Sequence, residues 1–518
     1  MHPLLMAIDL GTTGVRALVI DTNGRQLGSG TCEVNILPTA TGFAEQEIDA
    51  FWQAMIEAAQ CALSAACVRS KDIAAIGISH QRCTFALADA DGTPLTNLIV
   101  WMDQRGMSYI DDIRQRINPP AYYDVTGLPI YYISSLTKLL WLRDNVPAVY
   151  RSARRVWPIA NFMLVRMGVN DPPIDYATGS FYGLMDFRKR IWSRDLAETL
   201  GVDVDKLPRL VPSGTVVGQL SDRTTAVQLQ LPLGIPLVIG GGDQQCAALG
   251  SGMIESGQSL ISLGTATAVM AAVDEPVGDP NHIIPCVCHV APDQWEMEGH
   301  TQASGIILQR FRDEFAAAEV AVARYLGRDP YALLSEEASH SPAGASGLLF
   351  IPTLNGSTAP IDYPYSSGVL IGLRPSHTRA DIVRAIMEGI CLENRWILEH
   401  MQNSGIIIKT TYITGGASKS RFWNQLHADI LQCPISRVGT SNAALVGAAI
   451  CAGIGLGIFN NVRDGVATLS HVAETYYPNT HLAPLYTKLY NIFREAYAAL
   501  RQADIYRPLR EIVKPLQE

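Results

Sequence analysis

Apolar and polar positions along the chain follow two rhythms. Short runs such as Ile73 to Ser79 and Pro236 to Gly240 are apolar with little interruption, which predicts strands buried in a sheet. Between such runs lie helical patterns. Thr378-Arg379-Ala380-Asp381 reads as a capping box, and Ile382, Ile386, Ile390, Ile397 and Met401 follow close to helical spacing. Leu139-Leu140-Trp141-Leu142 predicts another helix that stops before Pro147. Strands alternating with helices predict an α/β fold. Ala443 to Phe459 is apolar enough to raise the question of a membrane span. It carries Gly447, Gly453, Gly455 and Gly457 and falls short of a bilayer's thickness, so a tightly packed core helix and turn is expected.

An internal echo organises the chain. Met6 to Leu10 is an apolar run broken at Gly11-Thr12-Thr13-Gly14 and resumed from Val15 to Ile20. Leu260 to Leu263, Gly264-Thr265, then Ala266 to Ala271 has the same form. Each predicts a β-hairpin with a tight turn. With 518 residues, too many for one ordinary core, two similar halves are expected: residues 1–250 and 251–518.

Composition narrows the chemistry. The net charge of −9 and the lack of any basic run argue against nucleic acid as partner. An anionic ligand must then be held by local dipoles and glycine loops. Ten cysteines without zinc spacing read as reduced thiols in a cytoplasmic protein. Met1-His2-Pro3-Leu4-Leu5-Met6 lacks the charged region and long apolar stretch of a signal peptide, and no membrane association is expected.

Four glycine turns carry candidate chemistry. In Ile239-Gly240-Gly241-Gly242-Asp243-Gln244-Gln245 a lone carboxylate follows three glycines, which suits a general base and equally a turn acid capping a helix. The two Gly-Thr turns offer hydroxyl and N–H donors to phosphates. Asp9, just before the first, would repel phosphate and suits magnesium instead. Tyr412-Ile413-Thr414-Gly415-Gly416-Ala417 runs a strand into bare backbone, on which a ring or ribose can lie. Neither a Gly-x-x-x-x-Gly-Lys-Ser/Thr loop nor, after the first strand, a Gly-x-Gly-x-x-Gly fingerprint is present. Ser79-His80-Gln81-Arg82-Cys83 and Trp101-Met102-Asp103-Gln104-Arg105 place polar groups at strand ends, where α/β sheets bind ligands. These suit the hydroxyls of a polyol or sugar, or else an internal Arg82–Asp103 salt bridge.

In order along nearly the whole chain, these motifs resemble the FGGY family of carbohydrate kinases, within the actin, hexokinase and heat-shock ATPase superfamily. Thr137-Lys138-Leu139-Leu140-Trp141-Leu142-Arg143-Asp144-Asn145, Gly368 to Leu373 and Asp381 to Gly389 extend the match. The resemblance implies two ribonuclease-H-like domains, the N-terminal one sugar-binding and the C-terminal one nucleotide-binding, with ATP in the cleft between them. It implies Asp243 as catalytic base, with Asp9 and Asp243 associated with Mg2+. Gly11, Thr12, Thr13, Arg16, Gly264 and Thr265 would contact phosphates, and Gly305, Gln309, Gly415, Gly416 and Ala417 the rest of the nucleotide. Gln81, Arg82, Cys83, Asp103, Asp243 and Gln244 would bind the sugar or polyol. A homodimer is a family-level expectation.

Departures bear on the acceptor. Glycerol kinases follow the equivalent of Arg82 with Glu, where this chain has Cys83, and their tyrosine before the lysine falls at Ile133. A thiol is a weak hydrogen-bonding partner. A roomier, less polar pocket is therefore expected, suited to a ketopentose such as xylulose ahead of glycerol. Asn442 stands where many relatives have Glu. A non-kinase ATPase of the same superfamily is the alternative of another class; it would need no such pocket, and no peptide-binding domain is found. A dehydrogenase is disfavoured by the missing fingerprint.

Overall fold

The computed structural model describes residues 3–37, 39–440 and 442–513. The chain folds into two compact units that interleave in sequence. Unit 1 comprises Met1–Glu255, Ala272–Glu296 and Asn442–His471; unit 2 comprises Ser256–Ala271, Met297–Ser441 and Val472–Glu518. A single cut near residue 250 thus separates the two hairpins, but two later stretches return to unit 1.

Unit 1 is built on β1 (Leu4–Gly11), β2 (Gly14–Asp21), β3 (Gln26–Glu33), β4 (Ile73–His80), β5 (Val216–Gln219) and β6 (Pro236–Gly242), in the spatial order β5-β6-β4-β1-β2-β3. The first three strands are antiparallel neighbours, with Gly11 facing Gly14 across the tight turn. β4 then lies parallel to β1, and β6 parallel to β4. Both central strands read as apolar runs because helices cover both faces of the sheet. One cover is α1 (Ile48–Ala66), whose buried Phe51, Met55, Ala58, Ala59 and Ala62 share a single face. The other is the helix Ala443–Gly455, so the apolar stretch that raised the membrane question is core packing. No helix among the described residues is long and apolar enough to cross a membrane. Two further helices position the site: α2 (Tyr176–Ser180) and α3 (Asp243–Ser251), which starts where β6 ends.

Unit 2 repeats the topology. β7 (Gln258–Leu263) and β8 (Thr267–Val273) form the second hairpin; with β9 (Trp295–His300), β10 (Thr410–Thr414), β11 (Ile435–Val438) and β12 (Val472–Tyr476) they make six strands of a seven-stranded sheet, in the order β9-β8-β7-β10-β11-β12. β7 pairs antiparallel with β8 and parallel with β10, as β1 pairs with β2 and β4. This is the ribonuclease-H-like pattern expected twice over. Against it pack α4 (Gly305–Phe315) and α5 (Arg379–Asn403). The latter opens with the expected capping box, Thr378 and Asp381 bonding reciprocally. Of its periodic positions, Ile386, Ile390, Ile397 and Met401 are buried and Ile382 is half-buried.

The buried face of α5 carries an uncompensated acid. Glu393 is buried, and its Oε2 has no hydrogen-bond partner. Burial pushes its carboxyl up to about 8. The folded state holds this proton up to about pH 8, whereas an unfolded chain releases it near the ordinary glutamate value of 4.5. The folded form therefore binds more protons across that window, and stability falls as pH rises through it. Glu393→Gln should unfold at a higher temperature than wild type at pH 8 and at the same temperature at pH 4. Equal melting temperatures for the two proteins at both pH values would show that Glu393 is not held protonated.

Candidate active site

The first hairpin delivers Asp9 to the sheet's centre, opposite Arg16 on β2 and beside Ser79 on β4. The Ser79 hydroxyl donates to Asp9 Oδ1 at 2.6 Å. Burial raises the Asp9 pKa, while the Ser79 bond and the charges of Arg16 and His80 oppose the rise. An oxygen donor with one hydrogen bond from protein suits a hard divalent cation that takes its remaining ligands from water and phosphate.

Around the turn the side chains are committed to one another. The Thr12 hydroxyl donates to Gln81 Oε1 at 3.0 Å and accepts from Trp101 Nε1–H at 3.0 Å. Gln81 Nε2 donates to Gln46, whose own amide donates to the Thr12 carbonyl. The Thr84 hydroxyl donates to Gln81 Oε1 and accepts the Trp101 backbone N–H. This network fixes the hairpin tip to the strand end. It also corrects one expectation: Gln81, 1% exposed, spends its amide inside the protein instead of presenting it to a ligand. Thr13 is exposed at the tip, while Gly11 and Thr12 are half-buried.

Asp103 requires the same correction. It is fully buried and accepts from the N–H groups of Ala44 and Arg105 and from the Arg105 guanidinium at 2.8 and 2.9 Å. Arg105 also reaches Glu45 at 2.7 Å and stacks on Phe43 and Trp141. The sequence suggested an Arg82–Asp103 pair; the partner is Arg105, two residues along the same turn.

Arg82 instead approaches the glycine turn, its Nε 3.6 Å from Asp243 Oδ1. Asp243 is the first residue of α3, where the helix dipole favours a negative charge, and its Oδ1 accepts the Gln244 N–H at 2.9 Å. The glycines are sterically required. Gly241 has φ +141°, and a Cβ there would sit 2.9 Å from Asp175 Oδ1; one on Gly242 would sit 2.6 Å from Arg82 Cδ. Gln244, next to the acid, has a buried Oε1 without a hydrogen-bond partner, while Gln245 Nε2 turns inward to Glu296 at 2.8 Å. Cys83 is buried at φ 57°, its thiol directed at the Phe181 carbonyl at 3.7 Å. The less polar surface expected around Cys83 is present: the thiol packs in a buried apolar cluster with Phe181 and Tyr182. Lys138 lies nearby, its ammonium donating to the Ile133 carbonyl at 2.7 Å, and burial pushes its pKa down to about 8.

In unit 2 three glycine turns converge. The Gly305 N–H donates to the Gly264 carbonyl at 3.0 Å, and the N–H groups of Ser304 and Ile306 both reach the Thr265 carbonyl. A Cβ on Gly305 would sit 2.4 Å from that Gly264 oxygen. Gly415, at φ +94°, lies so close to β7 that a Cβ would meet the Leu263 carbonyl at 2.3 Å. Gly416 faces open space, Ala417 follows in a short 3-10 turn, and Gln309 is half-buried one turn into α4. Residues 264–265, 305 and 415, far apart in sequence, thus form one backbone-lined surface.

The sequence reading missed the roles of Trp101, Gln46, Thr84 and Phe181. Trp101 opened a motif already singled out; the others lie outside any motif and are identified only by what they touch.

Comparison with known proteins gives a consistent result. Residues 4–250 match the N-terminal domain of the FGGY family of carbohydrate kinases, and residues 259–456 match its C-terminal domain. An autoinducer-2 kinase of Yersinia pseudotuberculosis serotype O:3 (strain YPIII) is 29% identical over 493 residues, covering 93% of this chain and 92% of that protein. A gluconate kinase from Lactobacillus acidophilus superposes with TM-score 0.87 at 25% identity, over 98% of this chain and 100% of that one. A ligand-bound xylulose kinase from the same organism gives TM-score 0.88 at 24% identity, with the same coverage.

The burial of Asp103 makes a prediction. Asp103→Asn leaves Arg105 without its main buried counter-charge and should cost about 3 kcal/mol in the first urea unfolding transition. A variant as stable as wild type but impaired in acceptor binding would restore Asp103 as a direct ligand contact.

Proposed function

The chain belongs to the FGGY family of carbohydrate kinases, and from that premise we propose that it moves the γ-phosphoryl group of ATP to a hydroxyl of a sugar or polyol, with Asp243 as general base. The observation that carries this reading is the setting of Asp243: first residue of α3, behind two glycines that tolerate no side chain, with Arg82 beside it and Gln244 Oε1 unpaired. Arg82 and Gln244 orient the acceptor, and Asp243 takes its proton as the oxygen attacks phosphorus in line. Phosphoryl transfer asks little covalent chemistry of the protein, so positioning and charge neutralisation supply most of the acceleration.

On the nucleotide side, Thr13 and the backbone of Gly11 and Thr12 meet phosphate oxygens, with Arg16 adding positive charge. Thr265 at the tip of the second hairpin, with Gly264 and Gly305 holding the backbone close around it, provides a second phosphate contact, while Gln309, Gly415, Gly416 and Ala417 take the rest of the nucleotide. Asp9 is the carboxylate that would hold Mg2+, with Asp243 the other acid assigned to it; the ion, when bound, neutralises phosphate charge.

For the acceptor, a ketopentose such as xylulose is the first assignment and a glycerol-type polyol the second. Arg82 supports either, but Cys83 places a thiol where a polyol would gain from a strong acceptor. The autoinducer-2 kinases among the relatives add autoinducer-2 as a candidate to test. ADP release should be measured with D-xylulose, D-gluconate, glycerol and autoinducer-2. Stimulation by at least one is expected, and stimulation by none would remove these acceptors from the reading. With the responsive acceptor, Asp243→Asn should lower kcat by about a thousandfold and leave the KM for ATP within about twofold. Turnover near wild type would exclude Asp243 as the base.

A further inference from the structure

We infer that Phe181 is a positioning residue for the acceptor: its ring supports the Arg82 guanidinium where Nε faces Asp243. The inference rests on the assignment of Arg82 to acceptor binding. Phe181 lies about a hundred residues from Arg82 in sequence, in a segment without a motif, yet it touches both Arg82 and Cys83. The guanidinium carbon sits 4.2 Å from the ring centroid, and the Cys83 thiol is directed at the Phe181 carbonyl.

The segment that carries Phe181 is itself fixed by hydrogen bonds. Asp175 caps α2 by accepting the Thr178 N–H at 2.9 Å. The Thr178 hydroxyl lies 3.3 Å from His80 Nε2, and His80 Nδ1 lies 2.9 Å from the Gln81 carbonyl. A carbonyl only accepts, so Nδ1 carries the proton and the Thr178 hydroxyl donates to Nε2. α2 is thereby latched to the end of β4, which is followed directly by Gln81, Arg82 and Cys83. The Phe181 carbonyl also accepts the Ser135 N–H at 3.2 Å, and the Phe181 N–H donates to the Thr178 carbonyl at 3.2 Å. The side chain is 3% exposed.

An arginine has many rotamers, and each that it populates away from the productive one weakens binding. Here the guanidinium carbon lies over the phenyl ring while Nε points toward Asp243. A cation on an aromatic face is favourable in a desolvated setting, and the ring supplies this orientation without competing for the hydrogen bonds that an acceptor needs. Phe181 thus acts through Arg82 and need not touch the acceptor.

The test compares Phe181→Leu, which keeps an apolar side chain but removes the ring, with Phe181→Tyr, which keeps the ring. Two readouts are used on the full chain. The first is the labelling rate of Arg82 by phenylglyoxal, followed by peptide mass spectrometry, which needs no acceptor. Labelling should be several-fold faster in Phe181→Leu and near wild type in Phe181→Tyr. The second is steady-state kinetics with whichever acceptor wild type phosphorylates. In Phe181→Leu the acceptor KM should rise about tenfold, equivalent to about 1.4 kcal/mol, with the KM for ATP unchanged and Phe181→Tyr restoring the acceptor value. Where Phe181→Leu fails to fold, Phe181→Met takes its place. Unchanged labelling together with an unchanged acceptor KM, or equal rises in both KM values, would overturn the inference. If wild type phosphorylates no acceptor tried, the acceptor assignment fails and the labelling rate alone decides the role of Phe181.

Discussion

Backbone-to-backbone packing at the centre of unit 1 is the constraint on which the site depends. The helix Ala443–Gly455 lies so close to the sheet that a Cβ on Gly77 would fall 2.2 Å from the Ala448 carbonyl. The same helix meets α3 with equal closeness, since a Cβ on Gly447 or on Gly250 would lie 2.0 Å from a carbonyl of the opposite helix. Interiors packed at crystal-like density do not absorb such insertions without moving backbone. α3 begins with Asp243, so this packing sets the position of that carboxylate relative to β4, the strand that leads into Arg82. A stretch more than 180 residues further along the chain therefore helps to place it, which explains why unit 1 reclaims Asn442–His471.

Charge is handled locally within this frame. Asp9 is met by Ser79 on the neighbouring strand, Asp103 by Arg105 within its own turn, and Asp243 by Arg82 across the sheet's end, all within unit 1. Removing a carboxylate from water costs several kcal/mol unless donors replace the water. The degree of compensation separates the three acids. Asp103 is saturated with donors and acts as scaffold for the turn that presents Trp101. Asp9 keeps only the Ser79 hydroxyl bond beside its charged neighbours, and Asp243 has a partly exposed side chain with a longer contact to its arginine. The two less compensated acids are those able to gain from a cation or a proton arriving with a ligand.

Much of the fold was legible because it rests on local rules. Both hairpins, the strand ahead of Asp243 and the capping box at Thr378 follow from apolar runs, glycine turns and capping chemistry, each decided within a few residues of chain. The glycine turns were legible for the same reason, since a Gly-rich segment after an apolar run marks close backbone approach wherever it occurs. What lay beyond reach was the pairing of polar side chains across elements. Arg105 was the nearer partner of Asp103 along the chain, but nothing in the sequence showed that Arg82 would turn away to Asp243, nor that Gln81 would be consumed by Thr12, Thr84 and Gln46. Those choices depend on sheet register and on which face of each turn looks inward.

By itself the sequence determined the two-hairpin α/β organisation, the family resemblance carried by ordered motifs, and the short list of acids and glycines able to do chemistry. Backbone propensity, burial periodicity and the steric needs of glycine are properties of short segments and survive without a fold. The tertiary structure decided which of those residues remain available to a ligand: Arg82 turned to Asp243, Gln244 left with an unpaired oxygen, Gln81 and Asp103 withdrawn into the scaffold. It alone placed Phe181 under Arg82 and Gly305 against Gly264. Hydrogen-bond capacity is finite and is allotted in three dimensions, so a residue's chemistry can be read from the chain, but its freedom to use that chemistry depends on its neighbours in space.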